Sequence, residues 1–467
     1  AVEFFGVPKE EQRIVEMGRR VSAAFMAAGV VALSLLAYLW RGWPAGLATG
    51  AALALHHQIY ELSHYMKEDS ALLMGVAFTF LAAVAYAQVP SNLRALILGV
   101  SAGLAISGKY LGVVVLAVAI PAVWLHSEAQ RQRRLAFFVA GLVALILLVN
   151  LPLFLHPEVF RQSFRHEMVR VIEGQDDATH RVPHTLYWNI FVDDSSPLIW
   201  LLLLTFLIVR WGRRGGLLMV QRLIVLFPFA YALLLSFSPK VNDRYFLPAT
   251  AIFVLIACLG TMDAPRVVQA IWKVFGLPHP ERALAGRWRR SAIAVAILAL
   301  VIMEFTGWSA GKPGWFTYDQ AFQRDDKAEL ITWMKANLPK EAKVAADLGA
   351  GLVDQNPRKD KPGALLEAQL QNLPQKLLVS KYAADIGTID QLRAQGVSYV
   401  VVSENSYGRY FRTGVQVKEE KGGKFANDRA FYEALFREEP LFERERRTVI
   451  YLHPGIRVYR IPATPAD

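Results

Sequence analysis

Charged side chains stand at the ends of long apolar runs in this sequence, where an enzyme that works at a membrane surface would need them. Asp69 follows the segment SHYMKE, Lys109 and Tyr110 interrupt a second apolar stretch, and Arg244 and Tyr245 precede a third. A lipid-linked phosphate needs cations at headgroup level, and a reacting hydroxyl needs a carboxylate base. The pattern therefore predicts a charged site at one face of the membrane.

Other polar side chains are predicted near the same face, and each also has a purely structural interpretation. They are, in chain order, Arg19, Arg20, His56, His57, Glu61 and His64. Glu61 and His64 share a helical face because they are three residues apart. Arg20 can equally anchor a helix end by snorkelling, and Asp69 can be a helix N-cap. Histidines inside a protein are more often satisfied interior residues than metal ligands.

The elements that must position these residues are membrane-spanning helices. The chain is 54% hydrophobic, and its apolar residues are concentrated before residue 306. Because a helix needs ~20 apolar residues to cross a bilayer, such runs are predicted spans. We place them at 21–40, 43–60, 70–88, 93–107, 110–125, 135–154, 196–209, 217–237, 245–262 and 291–306. A charge in mid-membrane is costly, so Lys109 is predicted to lie at a hairpin turn near an interface.

The net charge of +11 indicates topology and excludes a nucleic-acid footprint. Alternate segments between the spans, counted together with Arg94 and Arg222 near the starts of adjoining spans, hold 15 basic and three acidic residues, while the other set is acidic on balance. Basic short loops stay in the cytosol, so the N-terminal segment and the region after residue 306 are predicted to face outward. The single cysteine, Cys258, lies inside a predicted span, so no intramolecular disulfide is possible.

Two outward regions have recognisable patterns. Apolar residues recur at helical spacing over 157–173, which predicts a helix on the membrane surface; the acidic residues at 176–177 and 193–194 that follow are interpreted as a solvated loop. Region 307–467 is a predicted soluble α/β domain. Its helices are expected at 325–337, 388–395 and 427–438, with a loop at 349–363, and its strands at 342–346, 397–403, 447–452 and 455–460.

Several segments resemble GT-C glycosyltransferases related to protein O-mannosyltransferases and lipid A aminoarabinose transferases. Residues 63–85 (SHYMKEDSALLMGVAFTFLAAVA) are similar to a motif in which an acidic residue precedes a small, apolar helix. Residues 99–116 look like that family's glycine-rich helix ending in a Lys-Tyr pair. Residues 238–253 resemble its Arg-Tyr-hydrophobic-Leu-Pro segment, and 398–411 resemble the C-terminal part of bacterial members. One difference is Glu68, where the family usually has proline.

The resemblance implies an inverting transferase that uses a polyprenyl-phosphate-linked sugar in the bacterial inner membrane. It implies Lys109, Arg244 and Tyr245 as donor-phosphate ligands, and Asp69 as the one candidate catalytic residue in this sequence. The residues expected to line the cavity are Arg20, Glu61, His64 and Tyr110. Family members also carry a further N-terminal span and an outer loop with an acidic catalytic pair. We therefore expect roughly 60–100 residues before Ala1, with one apolar run of ~20 residues and the main general base.

Two other classes of protein stay open. A transporter or lipid flippase would place its charges at mid-membrane between repeated halves, and no repeat is visible here. A non-catalytic assembly subunit would use the soluble domain as its binding module. The sequence leaves open the sugar, the acceptor (protein, lipid A, glycan or another lipid) and any requirement for a divalent metal. Membrane lipids are the other expected partner.

Overall fold

A computed structural model gives the fold of the chain. The structure describes residues 11–127, 130–173, 197–210, 217–237, 243–275, 282–306, 326–352, 366–367, 373–411, 417, 422–446 and 453–461. The predicted acidic loop residues at 176–177 and 193–194 lie outside the described residues. The described residues form two compact units, of which the first ends at Thr306 and the second begins at Asp326.

The first unit is helical. Its helices are α1 (Glu11–Arg41), α2 (Trp43–Leu55), α3 (His57–Ser63), α4 (Asp69–Gln88), α5 (Asn92–Gly108), α6 (Leu116–Leu125), α7 (Arg131–Val149), α8 (Leu151–Leu155), α9 (Pro157–Glu173), α10 (Pro197–Arg210), α11 (Met219–Leu235), α12 (Leu247–Thr261), α13 (Ala264–Val274) and α14 (Arg282–Thr306). Short 3-10 helices, Tyr110–Val115 and Asp243–Phe246, lead into α6 and α12. The apolar runs therefore form helices where the sequence predicts them, and α9 confirms the helix predicted at 157–173.

Two of the predicted spans are interrupted. The run 43–60 breaks at His56 into α2 and α3, and the run 135–154 breaks at Asn150 into α7 and α8. Proline at the second position of α8 suits a helix start, since its missing N–H has no partner there anyway. The backbone also leaves the helical conformation at Lys109, as the predicted hairpin turn requires.

Four helices are long and apolar enough to cross a membrane: Met17–Arg41, Asp69–Gln88, Arg131–Val149 and Arg244–Thr261. Five shorter apolar helices accompany them in the described part of the chain. The helix α12 is buried along its whole length, so it forms the centre of the unit. The chain is thus an integral membrane protein, and the predicted fold of membrane helices followed by an α/β region is confirmed.

Glycines bring α4 and α5 into backbone contact. A Cβ added at Gly75 would lie 2.3 Å from the Cα of Ala105, and one added at Gly108 would lie 2.8 Å from the backbone nitrogen of Leu72. Real Cβ atoms are not found so close to backbone, so only glycine permits this packing. The contact at Gly108 places the C-terminus of α5 beside the N-terminus of α4.

The second unit is an α/β unit. Its helices are α15 (Asp326–Asn337), α16 (Ile389–Ala394), α17 (Glu404–Phe411) and α18 (Gly422–Leu435). Its strands are β1 (Lys343–Asp347), β2 (Leu366–Glu367), β3 (Lys376–Ser380), β4 (Tyr399–Ser403), β5 (Phe442–Arg446) and β6 (Pro454–Arg460). They form one sheet in the order β2-β3-β1-β4-β6-β5, in which β3, β1 and β4 are parallel. Apolar residues cover both faces of this sheet.

Most local predictions for the second unit agree with the structure, and some are corrected. All of β4 is buried, as its continuous apolar sequence predicts. The helix predicted at 427–438 begins earlier, at Gly422. The strand β5, at Phe442–Arg446, was not predicted, and the strand predicted at 447–452 lies outside the described residues. The sequence interpretation also missed β2, β3 and α17, because short or polar segments carry little periodic signal.

Candidate functional site

Asp69 and Lys109 form an ion pair where α4 begins and α5 ends. Lys109 Nζ lies 2.5 Å from Asp69 Oδ1 and 3.3 Å from Glu68 Oε1. The Asp69 side chain is only 1% exposed, and it lies in the first turn of α4, where the helix dipole favours a negative charge. The N-cap position of α4 is occupied by Glu68, and Asp69 is the first residue of the helix, so the structural interpretation of Asp69 as the cap is wrong.

A second cation and an aromatic ring reach this pair from a distant part of the sequence. Arg244 lies in the 3-10 turn before α12, and its Nη1 is 3.7 Å from Asp69 Oδ2. The ring centroid of Tyr245 lies 4.3 Å from Lys109 Nζ, within cation–π range. We call Asp69, Lys109, Arg244 and Tyr245 the donor-site cluster, after the role that the sequence resemblance predicts for Lys109, Arg244 and Tyr245. The structure therefore brings together four of the residues that the sequence singles out.

The two residues before Asp69, Lys67 and Glu68, are also charged and interact with the cluster. Burial lowers the pKa of Lys67, and the charge of Arg244 lowers it further. Burial tends to raise the pKa of Glu68, but its backbone hydrogen bond and the charges of Lys109 and Arg244 lower it overall. Three cationic side chains, Lys67, Lys109 and Arg244, thus interact with the two carboxylates of Glu68 and Asp69. Glu68 is half-exposed, so its carboxylate beside Lys109 is accessible to solvent.

Arg20 is the first of the four residues predicted to line a cavity. Arg20 is exposed on α1. Two residues before it, Gly18 packs against Met66. Two residues after it, Ser22 donates its hydroxyl to Lys67 O at 3.4 Å. The stretch of α1 around Arg20 therefore packs against the segment that leads into Asp69.

Tyr110 follows Lys109 and is exposed. Its ring meets those of Phe160 and Phe164 edge-on, with centroids 6.4 and 5.8 Å away. The helix α9 therefore lies beside the turn that carries Lys109. Its placement on a membrane surface stays a prediction, to which the exposed Phe164 and Val169 are suited.

Glu61 and His64 form local contacts. Tyr65 donates its hydroxyl to Glu61 Oε1 at 2.7 Å, while His64 Nδ1 lies 2.8 Å from Tyr60 O. These bonds fix both side chains on the short helix α3 and the turn after it. Their role in lining a cavity stays a prediction.

Sequence reasoning missed Lys67 and Glu68 as members of the site. Two features of the sequence could have identified them: both residues are next to Asp69, and Glu68 stands where the resembling family usually has proline. Within the stretches that the structure describes, no three metal-ligating side chains come together. The question of a metal therefore stays as open as the sequence leaves it.

The fold of this chain is similar to that of a solved ArnT structure. The crystal structure of ArnT from Cupriavidus metallidurans in the apo state matches with a TM-score of 0.50 and 14% identity, covering 100% of this chain and 87% of that one. Residues 15–153 also match the family described as dolichyl-phosphate-mannose-protein mannosyltransferase. The resemblance that the sequence motifs carry is thereby confirmed.

Two other solved structures were matched. ArnT from Cupriavidus metallidurans bound to undecaprenyl phosphate gives a TM-score of 0.47 at 14% identity, covering 100% of this chain and 86% of that one. The Archaeoglobus fulgidus oligosaccharyltransferase complex with Zn and sulfate gives 0.37 at 12%, covering 88% and 59% respectively. No curated protein matches the sequence.

Proposed function

We propose that this protein is a glycosyltransferase that moves a sugar from a polyprenyl-phosphate-linked donor to an acceptor, with inversion at the anomeric carbon. The observation that carries this proposal is the convergence of Lys109 and Arg244 on one point from two separate elements. Their cationic groups are positioned by a buried carboxylate, as a preorganised phosphate site requires. The description of the matched family, which names a dolichyl-phosphate mannose, supports a donor of this chemical class.

The charge of the cluster suits this donor. A sugar linked to a polyprenyl phosphate is a phosphodiester with one negative charge, and the cluster offers two cationic side chains, Lys109 and Arg244, around one carboxylate. Lys109 is held by Asp69 and by the half-exposed Glu68. A phosphate oxygen can replace the Glu68 carboxylate at Lys109 while Asp69 keeps the ammonium in place.

The proposed reaction has one bond-forming and one bond-breaking event. The acceptor atom gives its proton to a base and attacks the anomeric carbon, while the bond from that carbon to the phosphate oxygen breaks. The electron pair stays on the leaving phosphate, whose charge increases as it becomes a monoester. Lys109 and Arg244 would stabilise this growing charge, which is the usual source of electrostatic catalysis.

Asp69 has two possible roles in this scheme. Its Oδ1 already accepts a hydrogen bond from Lys109, and its Oδ2 faces Arg244. These contacts support a positioning role for Asp69, in which it orients the two cations. Its role as the general base stays a prediction.

The proposal places the reaction at the outer face of a bacterial inner membrane, with the second unit on the same side. Support comes from the charge distribution, because the basic short segments belong on the cytosolic side. The acceptor and the sugar are not part of the proposal, since no described contact discriminates among them.

The test measures binding and turnover in the complete protein. Undecaprenyl phosphate is titrated against purified wild type and against Arg244→Gln, and affinity is expected to fall tenfold or more in the variant. Arg429→Gln is the matched control, because Arg429 is half-exposed and pairs with Glu433 in the second unit. Equal affinity of wild type and Arg244→Gln would place the phosphate elsewhere.

Turnover separates a transferase from the alternatives. A donor with a labelled sugar should release polyprenyl phosphate and transfer the label to an acceptor fraction. A flippase would move the donor across a vesicle membrane without releasing phosphate, and an assembly subunit would do neither. Movement of an intact donor without release would refute the proposal.

A further inference from the structure

A second buried charge cluster lies in the helical unit, far along α12 from the donor-site cluster. Its centre is Asp263, which is fully buried. Asp263 Oδ1 accepts hydrogen bonds from Arg210 at 2.9 Å and Arg266 at 2.6 Å. Its Oδ2 accepts from Arg41 at 3.1 Å and from Arg210 Nε at 2.9 Å. We call these four residues the Asp263 cluster.

The Asp263 cluster and the donor-site cluster lie at opposite ends of the central helix. Arg244 precedes α12, and Asp263 follows it. At 1.5 Å per residue the separation is roughly 28 Å, close to the ~30 Å thickness of a bilayer core. Arg41 and Arg210 are the last residues of α1 and α10, so two further helices end at the same level. The Asp263 cluster therefore belongs to the opposite face of the membrane.

Counted over the described residues, the charges of this cluster do not balance. Three guanidinium groups face one carboxylate, and both oxygens of that carboxylate already accept two hydrogen bonds. The helix dipoles place roughly half a negative charge at each of the C-termini of α1 and α10, and together these offset about one positive charge. About one positive charge is left, and it is carried by side chains with little access to water, since Arg41 is 18% and Arg210 16% exposed. A buried cation without a counter-charge is costly, so an anion at this place would be stabilising.

Donor groups are available for such an anion. In the part of the chain that the structure describes, Arg41 and Arg266 each donate to Asp263 through a single Nη atom. Their other nitrogens can form charge-assisted hydrogen bonds with a phosphate. Arg266 is 43% exposed and leaves the cluster open from its outer side.

The surroundings of the cluster indicate a lipid and not a soluble anion. Trp43, two residues after Arg41, is exposed, as are Val274 and Phe275 at the end of the helix that carries Arg266. Exposed tryptophan and apolar side chains next to cations are typical of the headgroup level of a bilayer. A phosphodiester with one negative charge matches the charge that is left over.

We propose that Arg41 and Arg266 bind the phosphodiester of an anionic phospholipid at the membrane face opposite the donor site. The bound headgroup supplies the counter-charge that Asp263 alone does not provide, and it ties the ends of α1, α10 and α13 together. This site does not depend on the proposed transferase activity, because none of its residues belongs to the donor-site cluster.

The test uses the complete protein, delipidated in a neutral detergent. Phosphatidylglycerol, phosphatidylcholine and inorganic phosphate are added separately, and bound lipid is counted by native mass spectrometry while the thermal midpoint is followed. Wild type should retain phosphatidylglycerol with a raised midpoint, whereas Arg266→Gln should bind it at least tenfold more weakly. The control variant Arg161→Gln removes an arginine whose side chain is 75% exposed, and it should behave as wild type.

Variants that keep the fold make the outcome decisive. Arg41 and Arg210 still hold Asp263 in Arg266→Gln, and Arg266→Lys restores the charge, so lysine should recover part of the affinity. Equal binding of phosphatidylglycerol by wild type, Arg266→Gln and Arg266→Lys would overturn the proposal. Equal stabilisation by inorganic phosphate or by phosphatidylcholine would overturn the assignment to an anionic lipid. Unchanged undecaprenyl phosphate binding in Arg266→Gln would confirm that the two sites are separate, whereas a parallel loss would overturn that separation.

Discussion

Replacing Lys109 by alanine should affect both folding and donor binding, and the two effects can be separated. Without Lys109, the buried carboxylate of Asp69 retains Arg244 at 3.7 Å as its described ion-pair partner. Breaking a buried ion pair by removing one partner costs about 3–5 kcal/mol of folding free energy. Loss of the charge-assisted bond from Lys109 to the donor phosphate costs a further ~1.5–3 kcal/mol of binding energy. Affinity for undecaprenyl phosphate should then fall by a factor of about 10–150.

The double variant Asp69→Asn/Lys109→Ala distinguishes the two effects. Removing the carboxylate as well eliminates the buried charge that has lost its nearest cation, so part of the lost stability should return. The donor affinity should stay low, because the cation that binds the phosphate is still missing. Thermal unfolding and titration with undecaprenyl phosphate, measured on wild type, both single variants and the double variant, complete the cycle. Wild-type affinity in the double variant would refute the assignment of Lys109 to the phosphate.

Three further predictions concern packing, pH and topology. Gly108→Ala should weaken donor binding tenfold or more, since its Cβ would lie 2.8 Å from the Leu72 nitrogen and separate α4 from α5; titration with undecaprenyl phosphate measures this. Burial raises the pKa of Asp347 to about 7. Because the unfolded pKa is about 4, the free energy of unfolding should fall by about 3 kcal/mol between pH 4 and 7, and Asp347→Asn should lack this slope in chemical denaturation. In a Cys258→Ser background, Glu438→Cys should react with an impermeant thiol reagent in intact cells.

Each of these predictions has a control. Gly423→Ala should leave donor binding unchanged, because nothing lies within 4 Å of its added Cβ. An Asp347→Asn variant with the wild-type pH dependence would contradict the assignment of the slope to that carboxyl group. Gln132→Cys, on the predicted cytosolic side, should be labelled only after lysis. Labelling of Gln132→Cys before lysis and Glu438→Cys after it would reverse the orientation.

The sequence by itself determined the architecture of this protein. Long apolar runs predicted the helices of the first unit, and the continuous apolar segment before Ser403 predicted a strand buried on both faces. Such patterns are local, because the period of the hydrophobic residues reflects the geometry of one element. The break at Lys109 was also predictable, since a charge in mid-membrane is costly.

Short elements escaped this reasoning. The helix α17 (Glu404–Phe411) has the polar, glycine-containing sequence ENSYGRYF and shows no clear apolar stripe. Its tyrosines pack only because other elements of the second unit meet it, as Tyr407 and Tyr432 do with ring centroids 5.8 Å apart. Tertiary contacts override weak local preference in such segments.

Only the tertiary structure decided which charges meet. Lys109 and Asp69 are 40 positions apart, and Arg41 and Asp263 are 222 apart. In the sequence, Asp263 was one of a few acidic residues in a basic loop region, with no sign that it would be fully buried among three arginines. Contacts at such separations depend on how helices pack, and here that packing depends on glycines such as Gly108, whose missing side chain lets two backbones meet. Hydrophobic period predicts that a helix exists, but the partners of its end residues follow from the shape of the surfaces that pack against it.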